Sequence, residues 1–172
     1  MEPTLVLPET DIRTEHISRM VVSYEKEMLM LCFVYLRNID LAQEALQESF
    51  LKAYTRYDTF RGEASEKTWL TRIVINTCKD IRRTAWFRHP GVEISPNLPD
   101  AVLPPDETHM DLMDAILRLP AKSREVILLK YEQGLNNEEI ADLLGVTPMA
   151  VSKRMHKAYS RLRNILEGGN KE

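Results

Sequence analysis

The side chains of this chain that could do chemistry are mainly cations at helical spacing. The four histidines, His16, His89, His109 and His156, are scattered at no ligand-like interval. The two cysteines, Cys32 and Cys78, each sit inside an apolar helical pattern without a C-x-x-C partner. A zinc centre needs clustered ligands and a disulfide needs an oxidising compartment, so buried, reduced thiols and no metal are expected. No nucleophile–base pair is recognisable, so neither an independent enzyme nor a cofactor is expected. What remains is Met149, Ser152, Lys153, His156, Lys157 and Arg161, recurring three or four residues apart behind Thr147 and Pro148. On one face of a helix, residues near its start reach base edges in a major groove while later cations meet phosphates. The ordinary fate of such a run is a solvated face, so its flanks must decide.

They favour DNA. In NNEEIADLLGVTPMAVSKRMHKAYSRLR, residues 136–163, Asn136 can cap a helix whose third position, Glu139, reaches back to it. That helix would bury Ile140, Ala141 and Leu144. It would stop at Gly145, whose missing Cβ permits a left-handed turn. Thr147 then caps a second helix with Pro148 at its first position, where the absent N–H is not missed. Val151, Met155, Ala158 and Leu162 form its buried stripe, leaving Arg154 and Arg163 on the flank. Helix, glycine turn and capped helix make a helix-turn-helix. The preceding DLMDAILRLPAKSREVILLKYEQGL holds a helix started by Pro120 and ended by Gly134, a scaffold for the reader.

Two further helices are expected upstream. Asp40 and Gln43 resemble a capping box, followed by a face of Leu41, Ala45, Leu46, Ser49, Phe50, Ala53, Tyr54 and Tyr57. A second helix, about 66–86, would bury Trp69, Leu70, Ile73, Val74, Cys78 and Ile81. No segment alternates as a strand, so the fold class is all-α. Between them and the reader, residues 88–109 hold five of nine prolines (Pro90, Pro96, Pro99, Pro104, Pro105), which excludes regular helix and reads as a linker. The expected organisation is an arm at 1–13, helical domains at 14–87 and 110–168, the linker at 88–109 and a tail at 169–172.

The composition, 44% hydrophobic and 28% charged over 172 residues, is globular. The longest apolar run, Met28 to Leu36, is too short to span a bilayer and no signal pattern opens the chain, so a cytoplasmic protein is expected. The net charge of −3 is unevenly spread: residues 1–60 carry −4, 61–89 carry +4, 90–150 carry −7 and 151–172 carry +4. Two basic blocks among acidic stretches suit two nucleic-acid contacts and another surface for a basic partner.

Three segments in order resemble the extracytoplasmic-function group of bacterial sigma factors in the sigma-70 family. They are LAQEALQESFLKAY (41–54), FRGEASEKTWLTRIVINTCKDIRR (60–83) and LPAKSREVILLKYEQGLNNEEIADLLGV (119–146). The resemblance implies a subunit of RNA polymerase that recognises the −10 and −35 promoter elements and promotes melting, serving a stress or cell-envelope regulon. It assigns the first segment to the clamp helices of the polymerase largest subunit, and here the exposed side would carry Asp40, Gln43, Glu44, Gln47 and Glu48. That row of acids and amides suits an arginine-bearing partner helix.

The resemblance assigns DTFRGEASEK, residues 58–67, to capture of an unpaired −10 base, with Phe60, Arg61, Gly62, Glu63, Ala64 and Ser65 in the loop. The resemblance puts Asn76 in the same base pocket, while Lys67, Arg72, Lys79, Arg82 and Arg83 would hold the single strand and its duplex edge. Trp69, in the apolar stripe, is expected in the core. The reader would take the −35 element. Where many relatives carry Gly-Thr-Val-Lys-Ser-Arg, this chain has Met149 to Arg154, and Asn136 and Asn137 replace a frequent serine start. An anti-sigma factor, often membrane-anchored, is the implied regulator. The linker, acidic through Glu93, Asp100, Asp106 and Glu107, would thread near the RNA exit path. Two other readings compete: a stand-alone helix-turn-helix regulator of duplex DNA, and a module whose basic helices bind an acidic protein.

Overall fold

Asp11 opens the first helix, its carboxylate accepting from the Arg13 N–H at 3.3 Å, and α1 then runs Ile12–Leu36. The computed structural model describes residues 11–88 and 107–168. Most of the expected arm, all of the linker but its ends, and the tail lie outside the described residues. Arg37 breaks the chain with a left-handed φ of 55°, donating its N–H to Phe33 O, and Asn38 restarts it as cap of α2 (Ile39–Thr55). The Asn38 side chain accepts from the Leu41 N–H at 2.9 Å. The expected start at Asp40 is therefore corrected: Asp40 lies inside the first turn. A 3-10 turn at Tyr57–Thr59 leads into a loop, and Ser65 caps α3 (Glu66–Arg88) by accepting from the Thr68 N–H at 3.1 Å.

These three helices pack through α1, whose Met28, Cys32 and Phe33 are fully buried. Ala42, Ala45 and Ala53 on α2 let that helix approach closely, and Leu70, Val74, Ile75 and Cys78 fill the side under α3. Cys32 and Cys78 meet in this core. The hydrogen bond between them, with burial, holds the Cys32 thiol well above its ordinary range. Both cysteines are fully buried, so neither should react with an aromatic disulfide reagent in native protein, and both should react in urea. Rapid labelling of the native chain would contradict this packing.

The second group comprises α4 (Glu107–Leu117), α5 (Ala121–Tyr131), α6 (Asn137–Leu144) and α7 (Pro148–Gly168). Pro120 precedes α5, and Gly134 turns the chain with φ 68°. Val126, Leu129, Ile140, Val151 and Ala158 form the centre of its core. Leu143 is buried and Leu144 half-buried, the reverse of the weight expected for Leu144. Among the described residues there is no strand, as the all-α expectation requires.

The two groups touch along a seam. Tyr35 donates its hydroxyl to Glu125, which also lies 3.8 Å from Arg154. Arg37 donates to Leu117 O at 3.2 Å. Lys67 donates to Glu132 O at 3.0 Å, and Thr71 donates to the Gln133 side-chain carbonyl at 3.0 Å, with both residues buried. Beside these bonds a cleft of about 290 Å³ is lined by Lys79, Arg82, Lys122, Arg124 and Arg154 among others. Desolvation and the charge on Glu125 push the Tyr35 hydroxyl far above its ordinary range, so it stays a donor.

Candidate nucleic-acid and partner surfaces

Between the 3-10 turn and the first turn of α3 lies a recess of about 250 Å³. Phe60, Arg61, Gly62, Glu63, Ala64 and Arg72, all expected at the −10 site, line it together with Thr59, Thr68 and Trp69. Gly62 supplies the bend, at φ 72°, a conformation that residues with a Cβ seldom hold. Phe60 and Trp69 form one wall, their ring centroids 5.3 Å apart and tilted by 46°. The volume falls below the roughly 300–1,000 Å³ of drug-sized ligand sites and suits a single planar group stacked on an aromatic wall. Arg61 and Arg72 put positive charge at its rim.

Trp69 packs against the hydrophobic core as its stripe implies, and its remaining surface lines the recess. It is half-buried, with Phe60 of the loop against its ring. Apolar periodicity had placed it on the right helix face and could not say what lies opposite.

The remaining −10 candidates divide. Ser65 serves as the helix cap beside the recess. Asn76, expected in the base pocket, is exposed on α3 one turn beyond Arg72 and is not among the residues lining the recess. Lys67 is held by Glu27 at 2.5 Å and by Glu132 O, and Lys79 faces the seam cleft. The structure thus brings six of the ten to the recess and leaves Lys67 and Lys79 turned toward the second helical group.

On α2 the expected row is largely open: Asp40, Gln43, Glu44 and Gln47 are exposed. Glu48 is half-buried and paired with Lys52 at 2.6 Å, which makes it the least available member. Leu51 continues the row and is 63% exposed, a large apolar side chain turned away from the core. Sequence reasoning passed over it. Its position seven residues after Glu44, off the buried stripe, was the signal. A leucine rimmed by acids and amides is the make-up of a protein contact, apolar at the centre and polar at the edge.

The reader is built as its residues dictate. Asn136 accepts from the Glu139 N–H at 2.9 Å while Glu139 accepts from the Asn136 N–H at 2.8 Å, a complete capping box. Gly145 ends α6 at φ 66° and ψ 38°. Thr147 accepts from the Ala150 N–H at 3.2 Å to open α7. Asn137 donates to the Ser152 hydroxyl at 3.2 Å and so ties the two helices at the reading end. Thr147, Pro148, Met149, Ser152, Lys153, His156, Lys157 and Arg161 are all exposed, and Val151, Met155, Ala158 and Leu162 are all buried. The face is whole. Behind it Tyr131 and Tyr159 hydrogen-bond through their hydroxyls; partial burial and that bond push Tyr159 up to about 12, keeping it neutral.

Among the described residues no group of three or more His, Cys, Asp or Glu could hold a metal, and no helix is long and apolar enough to cross a membrane.

Comparison with known proteins matches the same two regions. Residues 20–88 match the family described as Sigma-70 region 2, and residues 109–162 the family described as Sigma-70, region 4. The chain is 32% identical to the ECF RNA polymerase sigma factor SigW of Bacillus subtilis, over 83% of this chain and 84% of the relative. It is 35% identical to an RNA polymerase sigma-E factor of Streptomyces avermitilis, over 73% and 71%. Among solved structures, the sigma factor RpoE of Bartonella quintana, crystallised with the anti-sigma factor NepR, superposes with a TM-score of 0.72 at 21% identity, covering 89% of this chain and 98% of that one. CnrH in complex with the cytosolic domain of CnrY gives 0.62 at 20% identity, covering 90% and 89%.

Proposed function

The chain belongs to the extracytoplasmic-function sigma factors of the sigma-70 family, and from that premise we propose which of its surfaces perform each step of transcription initiation. The open side of α2, Asp40 to Gln47 with Leu51, docks on the clamp helices of the polymerase largest subunit. The recess at residues 59–72 takes an unstacked base of the −10 element, and the exposed strip of α3 through Asn76 follows the single strand. The start of α7 reads the −35 duplex, with Met149, Ser152 and Lys153 nearest the bases and His156, Lys157 and Arg161 toward phosphate. Polymerase supplies the chemistry, and this subunit supplies binding and melting in the bacterial cytoplasm. A soluble domain of an anti-sigma factor, membrane-anchored or free, is the regulatory partner, as in the complexes of the structural relatives with NepR and CnrY.

The observation that carries this reading is the recess. Unstacking a base costs a few kcal/mol, and stacking it on an aromatic wall returns about 1–3 kcal/mol. The Phe60–Trp69 wall with cationic Arg61 and Arg72 provides such a place. A stand-alone regulator of duplex DNA would have no use for it, nor for the α2 row.

Run-off transcription with purified core polymerase on a promoter library tests the whole. Specific initiation above core alone is expected, and its absence would refute the assignment. Within that assay Glu44→Lys, an exposed member of the row, should weaken holoenzyme assembly about tenfold while leaving −35 duplex affinity intact. Unchanged assembly would move the docking face elsewhere.

A further inference from the structure

The recess loop is anchored at both of its ends by the first turns of α1. At the entry, Arg13 donates to Asp58 Oδ2 at 2.6 Å, and its guanidinium lies 5.5 Å from the centre of the Tyr54 ring. His16 Nδ1 shares a hydrogen bond with the Tyr57 hydroxyl at 2.8 Å, the two rings meeting edge-on at 5.4 Å. At the exit, Arg19 donates to Glu66 Oε1 at 2.7 Å. Arg13, His16 and Arg19 stand three residues apart and so share a side of α1. All three precede residue 20, where the match to region 2 begins. That match assigns them nothing.

We propose that residues 13–19 form a brace that sets the spacing between the two ends of the loop and so holds the recess open for a base. Arg13 and Arg19 are positioning residues for −10 capture and touch no DNA themselves. The inference rests on the recess being the base site. Its physical ground is where these contacts sit. Exposed ion pairs add little to global stability because solvent screens them and long side chains lose freedom. These pairs join a helix to the two stems of a loop whose residues 61–65 are all exposed. Such a loop draws its order from its ends, and preordering it lowers the entropy lost when a base enters. Their effect therefore falls on melting and not on folding.

The test uses holoenzyme reconstituted with core polymerase and a promoter selected by the wild-type holoenzyme from a library. Open complexes are read by permanganate reactivity of unpaired thymines. The double variant Arg13→Gln with Arg19→Gln is expected to lower open-complex formation about fivefold, with Tm and polymerase affinity unchanged. Arg13→Asp should weaken opening, and combining it with Asp58→Arg should restore it, a rescue that a generic loss of charge would not give. Trp69→Ala serves as the reference for the base site. If Trp69→Ala impairs opening and the Arg13/Arg19 variant does not, the brace is refuted and the base site stands. If Trp69→Ala has no effect, both are refuted. Loss in the double variant that merely follows a fall in Tm or in polymerase affinity also refutes the brace.

Discussion

Phe33→Ala is expected to destabilise the chain by about 3–5 kcal/mol, since truncating a buried phenylalanine removes apolar contact and leaves a cavity that relaxes only in part. Phe33 is fully buried and heads the large buried side chains, and the Arg37 guanidinium lies 5.9 Å from its ring centre. Native domains hold only about 5–15 kcal/mol in total, so this one change takes a large share. Urea unfolding followed by circular dichroism is the measurement. A shift in midpoint equivalent to less than about 1 kcal/mol would mean that α1 is not the centre of the N-terminal core. The functional loss should be broad, because α1 packs against both α2, which carries the proposed docking row, and α3, whose first turn borders the recess.

The second large effect is local. Gly145→Val should lower affinity for −35 duplex DNA by tenfold or more, roughly 1.4 kcal/mol for each decade. A Cβ at this position meets nothing within 4 Å, so the backbone conformation sets the cost. What the valine meets is the left-handed backbone at φ 66°, which costs a β-branched residue roughly 1–3 kcal/mol. The turn relieves that strain by re-angling α7 against α6, and the reading face moves off the groove. Gly145→Asn, which tolerates this conformation, should bind almost as the native chain does. Equal binding by the valine and asparagine variants would show that the turn geometry is irrelevant. Helicity should stay near native throughout, since neither helix loses its core contacts.

The reader was legible because each of its signals is local. Asn136, Glu139, Gly145, Thr147 and Pro148 lie within a dozen residues and act on their immediate neighbours, and the structure holds every one as read. The start of α2 was less legible. Asp40 with Gln43 imitates a capping box, whereas Asn38 does the capping because the non-glycine Arg37 takes the left-handed turn before it. No residue preference announces an arginine there. Trp69 packs against the core as its stripe implies, yet the stripe cannot say that its outer side meets Phe60 of a returning loop. Lys67 reads from the sequence as a cation for the single strand. Its partners Glu27 and Glu132 sit 40 and 65 residues away along the chain, beyond any periodicity. The two-segment organisation showed in the prolines, but the contacts across the seam are tertiary and left no pattern.

Those contacts also limit what can be exchanged between relatives. Thr71 and Gln133 are buried against each other across the seam, and Tyr35 and Glu125 hydrogen-bond there as well. A polar group enclosed with its partner is stabilising, and the same group facing an apolar substitute loses its bond without regaining water. A hybrid that grafts another promoter reader after residue 107 would inherit position 71 from one parent and position 133 from the other. Such hybrids should be assembled with positions 71 and 133, and 35 and 125, kept as matched pairs. The second helical group then becomes an interchangeable cartridge whose fit is decided at the seam and not on its proposed DNA face.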